Sequence, residues 1–510
     1  MTLLCVPIFV HDAAQARRDA ILAAEAGADI IELRIDELTE PISLADFPLP
    51  CIVTNRPHWE GGRCELPDEQ RIEILAKTAA TGAAYVDIEL QTLQKMPGVE
   101  AKFNRPLIVS AHDFRGRPPR LNNLLLEMSK SSATVYKLAW TARSIRDNIE
   151  AFELLRFRSR PTIALCMGEG GIISRILAKQ FGAFLTFASL EASAATAPGQ
   201  VSIADVKRLY RWDAIGPGTK VFGVVGSPVA HSMSPAIHNA AFDSVGFDGI
   251  YVPLLVQPYY ESFKAFMEDY LLAIDLRGLS ITIPHKENAL RYLIEKDGEI
   301  ESLARSIGAV NTITVERDDN GRIVKLHGRS TDYAAILESI TDVLGITREA
   351  LNGYRVAVIG AGGTGRTAVA ALAHYGATVV VYNRTLDRAQ ALAADFNGKS
   401  GKVVAAPIEK LCDSCCQIYI NTTSLGMHPN IDGSAFGYNP PKLGTGTLVF
   451  DTVYNPPVTK LLRQAQESGA KTISGVEMFV RQAAAQFQAW TGIDPPLQVM
   501  RNVVMERLSR

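Results

Sequence analysis

The sequence is short of cysteine, with 7 among 510 residues, an odd number. That count excludes a disulfide-stapled extracellular scaffold and fits a reducing compartment. Cys412, Cys415 and Cys416 cluster, but no second cysteine pair completes a four-ligand zinc set. They read as buried thiols, and no metal is expected. An excess of charge of one sign is also missing. Lys and Arg total 52 against 54 Asp and Glu, a net charge of −2. This leaves no electrostatic basis for nucleic-acid or anionic-membrane partners. No apolar run reaches bilayer length. The apolar stretch Leu3–Val10 has no basic region ahead of it and does not read as a signal peptide. The expectation is a cytoplasmic protein of about three domains with small-molecule substrates.

What the sequence has instead is repetition. Over residues 1 to about 190, apolar strand-like runs recur at Leu3–Phe9, Ile30–Ile35, Cys51–Asn55, Tyr85–Leu90, Leu107–Ser110, Thr134–Trp140, Thr162–Met167 and Phe184–Leu190. Helix-compatible segments such as Ala13–Ala26 and Asp68–Ala80 separate them. Eight β/α units in that length predict a (β/α)8 TIM barrel, with chemistry at the C-terminal strand ends. Those ends are polar. The second strand carries Glu32, Arg34 and Asp36, and Arg56 and Glu60 follow the third. Asp87 and Glu89 lie on the fourth strand, His112 ends the fifth, and Arg175 and Gln200 sit in the last two loops.

Lys137 lies inside the sixth strand. A lysine there is costly unless its surroundings favour the neutral amine. A neutral amine attacks a ketone to give a Schiff base. A lone lysine has a second reading, in which it snorkels to the rim. His112, from the neighbouring strand, can move protons between that adduct and the substrate. Arg56 and Arg175 can hold a carboxylate bidentately.

Taken together, IELRID, TNRPHWEGG, YVDIEL, SAHDF, YKLAW, MGEGGIISR and TAPGQ resemble the type I 3-dehydroquinate dehydratases over about residues 1 to 205. The resemblance implies an imine on Lys137, His112 as general acid/base and Glu60 as its support. It assigns Glu32, Arg34, Arg56, Arg175, Thr196 and Gln200 to the substrate's hydroxyls and carboxylate. Thr196 stands where the family's closing loop has serine, which implies altered lid packing and retained activity.

Arg211–Lys220 contains Gly216-Pro217-Gly218 and reads as a linker that breaks any helix or strand. Beyond it, Ser232 and Ser234 precede Pro235 at a helix start, as a carboxylate site or as simple caps. Gly278–Lys286 reads as a strand ending in Lys286, and Asp332 ends another strand-like run. Such a pair can shuttle the proton that accompanies hydride transfer. Asn320-Gly321 is a hairpin turn signal. From Arg355 the order is strand, glycine turn (Gly360, Gly362, Gly363, Gly365), helix, strand, which is a dinucleotide fingerprint. The second strand ends in Asn383, Arg384 and Thr385 where an NAD site places an acid. A cation with amide and hydroxyl donors there predicts NADP.

GSPVAHSMSP, ITIPHK, GAVNT, STD, GAGGTGR, NRT, NTTSLGM, DTVYNP and a terminal G-x-x-M resemble the shikimate dehydrogenases over about residues 219 to 505. The resemblance implies Lys286 and Asp332 as the catalytic pair. It places Ser232, Ser234, Thr282, Asn311, Tyr454 and Gln482 on the substrate. Thr422, Gly475 and Met478 join the glycine turn and Asn383–Thr385 around NADP. Ser330 and Ala335 depart from the family pattern, which implies perturbed packing near Asp332.

The expected division is a barrel over 1–215, a substrate-binding domain over 219–332 plus 475–510, and an NADP-binding Rossmann domain over 333–474. The implied function is consecutive, with dehydration of 3-dehydroquinate followed by NADPH-dependent reduction of 3-dehydroshikimate. The alternatives are a quinate preference in the second half, and a regulatory protein that senses these metabolites.

Overall fold

The computed structural model describes residues 2–191, 199–230, 232–398, 401–437 and 439–509. Thr196 lies outside the described residues. The chain forms two compact units, Met1–Pro235 with Gly246–Leu276, and Ala236–Val245 with Arg277–Arg510.

In the first unit, β1 (Leu3–Phe9), β2 (Ile30–Arg34), β3 (Cys51–Thr54), β4 (Tyr85–Glu89), β5 (Leu107–Asp113), β6 (Val135–Thr141), β7 (Thr162–Met167) and β8 (Leu185–Phe187) are hydrogen-bonded in the order β7-β6-β5-β4-β3-β2-β1-β8. Every described pair is parallel. The ring nearly closes, since the Phe184 N–H just before β8 donates to the Thr162 carbonyl of β7 at 2.8 Å. This is the expected (β/α)8 barrel.

Period-two alternation explains what fills it. The inward columns run Ile30-Glu32-Arg34, Ile52-Thr54-Arg56, Tyr85-Asp87-Glu89, Ile108-Ser110-His112 and Val135-Lys137-Ala139. Their first members form an apolar floor with Cys5, Ile163 and Leu185. The residues two and four places later carry the polar groups at the C-terminal end. The floor is dry core, and the chemistry sits on it.

The rest of the first unit is β9 (Lys220–Gly226), parallel to β10 (Gly249–Leu255), and the helix Tyr260–Ala273. Its Tyr270 hydroxyl donates to the Ile145 carbonyl of the barrel at 2.5 Å. The linker is better ordered than its Gly-Pro-Gly implies. Trp212–Ala214 forms a turn of 3-10 helix, and Trp212 is buried. The indole anchors a segment expected to hold no helix.

In the second unit, β11 (Leu276–Ile281), β12 (Glu299–Ile300), β13 (Thr312–Arg317) and β14 (Ile323–Arg329) run in the order β11-β13-β14-β12. β13 and β14 are an antiparallel hairpin with Gly321 at φ 76° in its turn, as Asn320-Gly321 implies. Six parallel strands follow, β15 (Arg355–Ile359), β16 (Thr378–Asn383), β17 (Val403–Pro407), β18 (Ile418–Asn421), β19 (Leu448–Asp451) and β20 (Lys471–Ile473). Their order, β17-β16-β15-β18-β19-β20, is doubly wound, with its switch point between β15 and β18. Val356 and Val358 join one apolar cluster and Ala357 and Ile359 another, so β15 is buried on both faces.

The expected burial of the cysteine cluster holds only for Cys416. Cys412 is partly exposed and Cys415 is exposed. The segment leads into β18, and only the thiol against that strand is covered. Among the described residues no group of His, Cys, Asp or Glu is disposed to hold a metal.

Candidate active sites

The barrel's polar end encloses a cavity of about 220 Å³. Glu32, Arg34, Arg56, Glu60, His112, Lys137, Arg175 and Gln200 all line it, with Phe114, Leu165, Met167 and Phe187 as apolar walls. The structure therefore gathers every described barrel residue that was given a role from sequence, while Asp36, Asp87 and Glu89 do not border the cavity. Lys137 is buried, and its Nζ lies 2.9 Å from Glu32 Oε1 and 2.8 Å from Asp87 Oδ2. Arg56 donates to Asp87 Oδ1 at 2.7 Å, Glu89 Oε1 at 2.9 Å and Ser110 Oγ at 2.7 Å. Asp87 and Glu89 are central to this network, and sequence reasoning gave neither a role. Their signal was the acid–x–acid spacing on β4, which aims both inward.

The electrostatics correct one expectation. Burial alone would push Lys137 toward the neutral amine, but Asp87 and Glu32 outweigh it and hold the amine above the ordinary lysine value. The resting group is an ammonium. The cost of burying it is met by two carboxylates rather than by loss of the proton.

His112 is pushed well below the usual histidine value by burial and by the cations Arg56 and Lys137, so it is neutral. Glu60 Oε1 accepts the His112 backbone N–H at 3.1 Å and lies 2.8 Å from Nδ1. That pattern assigns the ring proton to Nδ1 and leaves Nε2 as a base. Burial pushes Glu60 up to about 8, against the pull of Arg56.

Arg175 differs from the other cations. It is buried, and among the described residues it has no ion pair. Its Nε has no hydrogen-bond partner, and burial lowers its pKa to about 10. A buried guanidinium left unpaired is expensive unless an anion arrives. Arg34 is tied to Asp36 at 2.5 Å.

In the second unit, Lys286 and Asp332 meet, with Nζ 2.6 Å from Oδ2. Neither ends a strand. β11 stops at Ile281, Lys286 opens the helix Lys286–Glu295, and Asp332 lies in the first turn of the helix Thr331–Leu344. The apolar run continues past the ladder, so it read as strand. Asn311 sets the second helix, because its Oδ1 accepts the Thr331 N–H at 2.8 Å and its Nδ2 donates to Thr331 Oγ1 at 3.0 Å. Gln486, not singled out from sequence, donates to the Asn311 carbonyl at 3.3 Å and to Thr312 Oγ1 at 3.0 Å. Ser330 is buried at the N-cap of the helix Thr331–Leu344, where its side chain makes no capping bond, and Ala335 is buried within the helix.

Thr282 is half-buried beside the turn before Lys286. Tyr454 stacks on Phe479 with ring centroids 4.9 Å apart, and Gln482 bonds back to the Phe479 carbonyl. In the first unit, Ser232 Oγ accepts the Ser234 N–H at 3.2 Å. That is the capping reading of the pair, with Ser234 buried at the helix start.

The glycine turn passes a direct test for a dinucleotide. A Cβ on Gly362 or Gly363 would meet nothing within 4 Å, which leaves an open face at the helix N-terminus. A Cβ on Gly365 would lie 2.3 Å from the Gly360 carbonyl oxygen, so the helix packs there only as glycine. Gly360 itself has φ 111°. Thr422 Oγ1 donates to the Ile359 carbonyl at 2.9 Å, beside the turn. Arg384 is exposed with no ion pair among the described residues, and Thr385 does not spend its hydroxyl on capping. Asn383 donates to the Thr385 carbonyl at 2.8 Å and fixes this corner. Gly475 permits close approach of its helix, since a Cβ would lie 2.5 Å from the Thr452 carbonyl oxygen. Met478 packs on the core of this sheet.

The residues match four family models: type I 3-dehydroquinase over 4–217, shikimate dehydrogenase substrate binding domain over 224–313, shikimate / quinate 5-dehydrogenase over 344–429, and shikimate 5'-dehydrogenase C-terminal domain over 475–505. The chloroplastic bifunctional 3-dehydroquinate dehydratase/shikimate dehydrogenase of Arabidopsis thaliana is 39% identical, across 98% of this chain and 83% of that protein. The shikimate dehydrogenase (NADP(+)) of Methanosarcina mazei is 42% identical over 57% of this chain and 99% of its own length. A crystal structure of a shikimate dehydrogenase in complex with NADP+ superposes with a TM-score of 0.51 at 34% identity, covering 58% of this chain and 98% of that one. The chain thus belongs to the bifunctional 3-dehydroquinate dehydratase/shikimate dehydrogenases, NADP-dependent enzymes of the shikimate pathway.

Proposed function

We propose the following residue roles for the two reactions. In the barrel, Lys137 condenses with the ketone of 3-dehydroquinate. Its ammonium and the carbonyl give a protonated imine and one water, with no net change in protons or charge. The unprotonated Nε2 of His112 moves the proton that Lys137 must lose in order to attack. The iminium acidifies the neighbouring C–H bond, and His112 takes that proton to leave a neutral enamine. The enamine expels the β-hydroxyl, which leaves as water with the proton His112 returns, and hydrolysis regenerates the ammonium. Glu60 fixes the histidine tautomer. Arg175 takes the substrate carboxylate, and Glu32, Arg34, Arg56, Gln200 and Thr196 take the remaining oxygens.

The observation that carries this reading is Arg175, a buried guanidinium without an anion, in the same cavity as Lys137 and neutral His112. Incubation with 3-dehydroquinate and borohydride is expected to add to the Lys137 peptide the substrate's mass less one oxygen, or that mass less one further water where elimination precedes reduction. Turnover with an unmodified Lys137 would overturn it.

In the dehydrogenase, Lys286 and Asp332 relay the proton that must reach the reduced oxygen, and Ser232, Ser234, Thr282, Asn311, Tyr454 and Gln482 orient the ring. NADPH supplies the hydride. Gly360, Gly362, Gly363, Gly365 and Thr422 would hold its pyrophosphate, Asn383, Arg384 and Thr385 its 2′-phosphate, and Gly475 and Met478 its nicotinamide end. The three-part division into 1–215, 219–332 with 475–510, and 333–474 belongs to this reading, supported by the three runs of strands. So does a cytoplasmic site of action, supported by seven free thiols.

A further inference from the structure

Lys137 is held by two carboxylates that are placed differently. Glu32 lines the cavity, within reach of a bound substrate. Asp87 does not line it. It is 0% exposed, shut off from the cavity that Glu32 and Lys137 border. Its Oδ1 accepts from Arg56 at 2.7 Å and from Ser110 Oγ at 2.6 Å, while Oδ2 faces Lys137 Nζ at 2.8 Å. Arg56 is itself pinned by Glu89 at 2.9 Å. Substrate hydroxyls can therefore recruit Glu32 away from the lysine, whereas Asp87 has no freedom to follow.

We propose that Asp87 is a catalytic residue of the dehydratase, the fixed counterion that stays with the Lys137 nitrogen as it passes from ammonium to iminium. The inference rests on the imine reading above. The charge to be balanced is the same +1 in both species, because one water leaves and no proton is lost. When His112 removes the α-proton, the nitrogen becomes neutral for the life of the enamine, and elimination of water restores its charge opposite the same carboxylate. Asp87 accepts no proton in this cycle. Burial would raise its pKa, but Arg56 and Lys137 outweigh that and keep it ionised. The other groups facing the nitrogen do not duplicate the role. Glu32 borders the cavity and shares its Oε1 between Lys137 and Thr54 Oγ1, Glu60 is spent on His112, Glu89 on Arg56 and Arg71, and Cys5 is a buried thiol raised well above its usual range. Phe187 offers only its ring face, 4.7 Å from Nζ.

The test uses the whole chain with 3-dehydroquinate and cyanoborohydride, which reduces the protonated imine and not the neutral one. The yield of modified Lys137 is read against pH. In the wild type, trapping is expected to persist into alkaline pH. In Asp87→Asn and Asp87→Ser the alkaline midpoint is expected to move at least about one pH unit toward acid, the scale set by loss of an opposite charge within 4 Å. Asp87→Glu is expected to restore most of the wild-type profile. Trapping on Lys137 that is retained at acid pH, where the imine is protonated in every variant, identifies the variants whose barrel folds, and either neutral variant decides. An unchanged profile in a folded neutral variant overturns the counterion role and leaves the imine standing. Absence of trapping in the wild type itself overturns both.

Discussion

Arg175 and Arg56 have the same side chain in one cavity and opposite circumstances. Arg56 is held by Asp87, Glu89 and Ser110, so it is structure as much as site. Arg175 is buried without an anion, so its charge is available to the substrate. Arg175→Ala is expected to cost about 1.5–3 kcal/mol, roughly 10- to 150-fold in KM for 3-dehydroquinate. Steady-state kinetics that show kcat falling with KM unchanged would contradict that role. Glu60 gives a pH signature. Its folded-state pKa, about 8, lies above the ordinary carboxyl value. Its contribution to stability is therefore present at acid pH and lost as pH rises through about 8. Glu60→Gln removes that loss, so its Tm is expected to gain on the wild type between about pH 5 and 9. A Tm difference that is flat with pH would contradict it.

The residue types of the barrel site were legible in sequence because strand alternation sorts them onto one side. Their partnerships were not. Which inward acid meets Lys137 depends on how β2, β4 and β6 face one another across the barrel, and no periodicity encodes a cross-barrel distance. Hence Glu32 was singled out for the substrate, Asp87 received no role, and the ammonium was taken for an amine.

At the scale of elements, the glycine turn before the helix Gly363–His374 carries the clearest expectation. Gly365→Ala places a Cβ 2.3 Å from a backbone oxygen, so strand and helix must part. Thermal melts should show a lower Tm, and the KM for NADPH should rise about tenfold or more, a loss of about 1.4 kcal/mol. Gly363→Ala, whose Cβ would meet nothing within 4 Å, should leave the Tm unchanged. Equal Tm losses in the two variants would contradict this assignment of glycine roles. At the end of β16, Arg384→Ala is expected to raise the KM for NADPH roughly tenfold or more while sparing NADH, since one charge-assisted contact to phosphate is removed. Equal effects on the two cofactors would remove Arg384 from the 2′-phosphate.

The β15–β16 unit was readable almost residue by residue because its strands, turn and helix are local in sequence. The Lys286–Asp332 pair was not, for two reasons. The apolar run before Lys286 outlasts its ladder. The 46-residue separation is closed by Asn311 gripping the second helix, a contact between loop and helix start that has no sequence period.

At the scale of the whole molecule, the chain joins consecutive reactions in which the product of the barrel is the ketone the second half reduces. Sequence gave this fusion away because the two motif sets follow one another in order, each with its own chemistry. The barrel and the doubly wound sheet each bury their own core, so a lesion in one catalytic group should leave the other reaction running. The most direct measurement follows NADPH oxidation by Lys137→Ala and Lys286→Ala, each supplied with 3-dehydroquinate or 3-dehydroshikimate. Lys137→Ala is expected to oxidise NADPH with 3-dehydroshikimate at the wild-type rate and not at all with 3-dehydroquinate. Lys286→Ala is expected to accumulate 3-dehydroshikimate from 3-dehydroquinate while NADPH persists. Full NADPH oxidation by Lys137→Ala with 3-dehydroquinate would contradict the account at its centre.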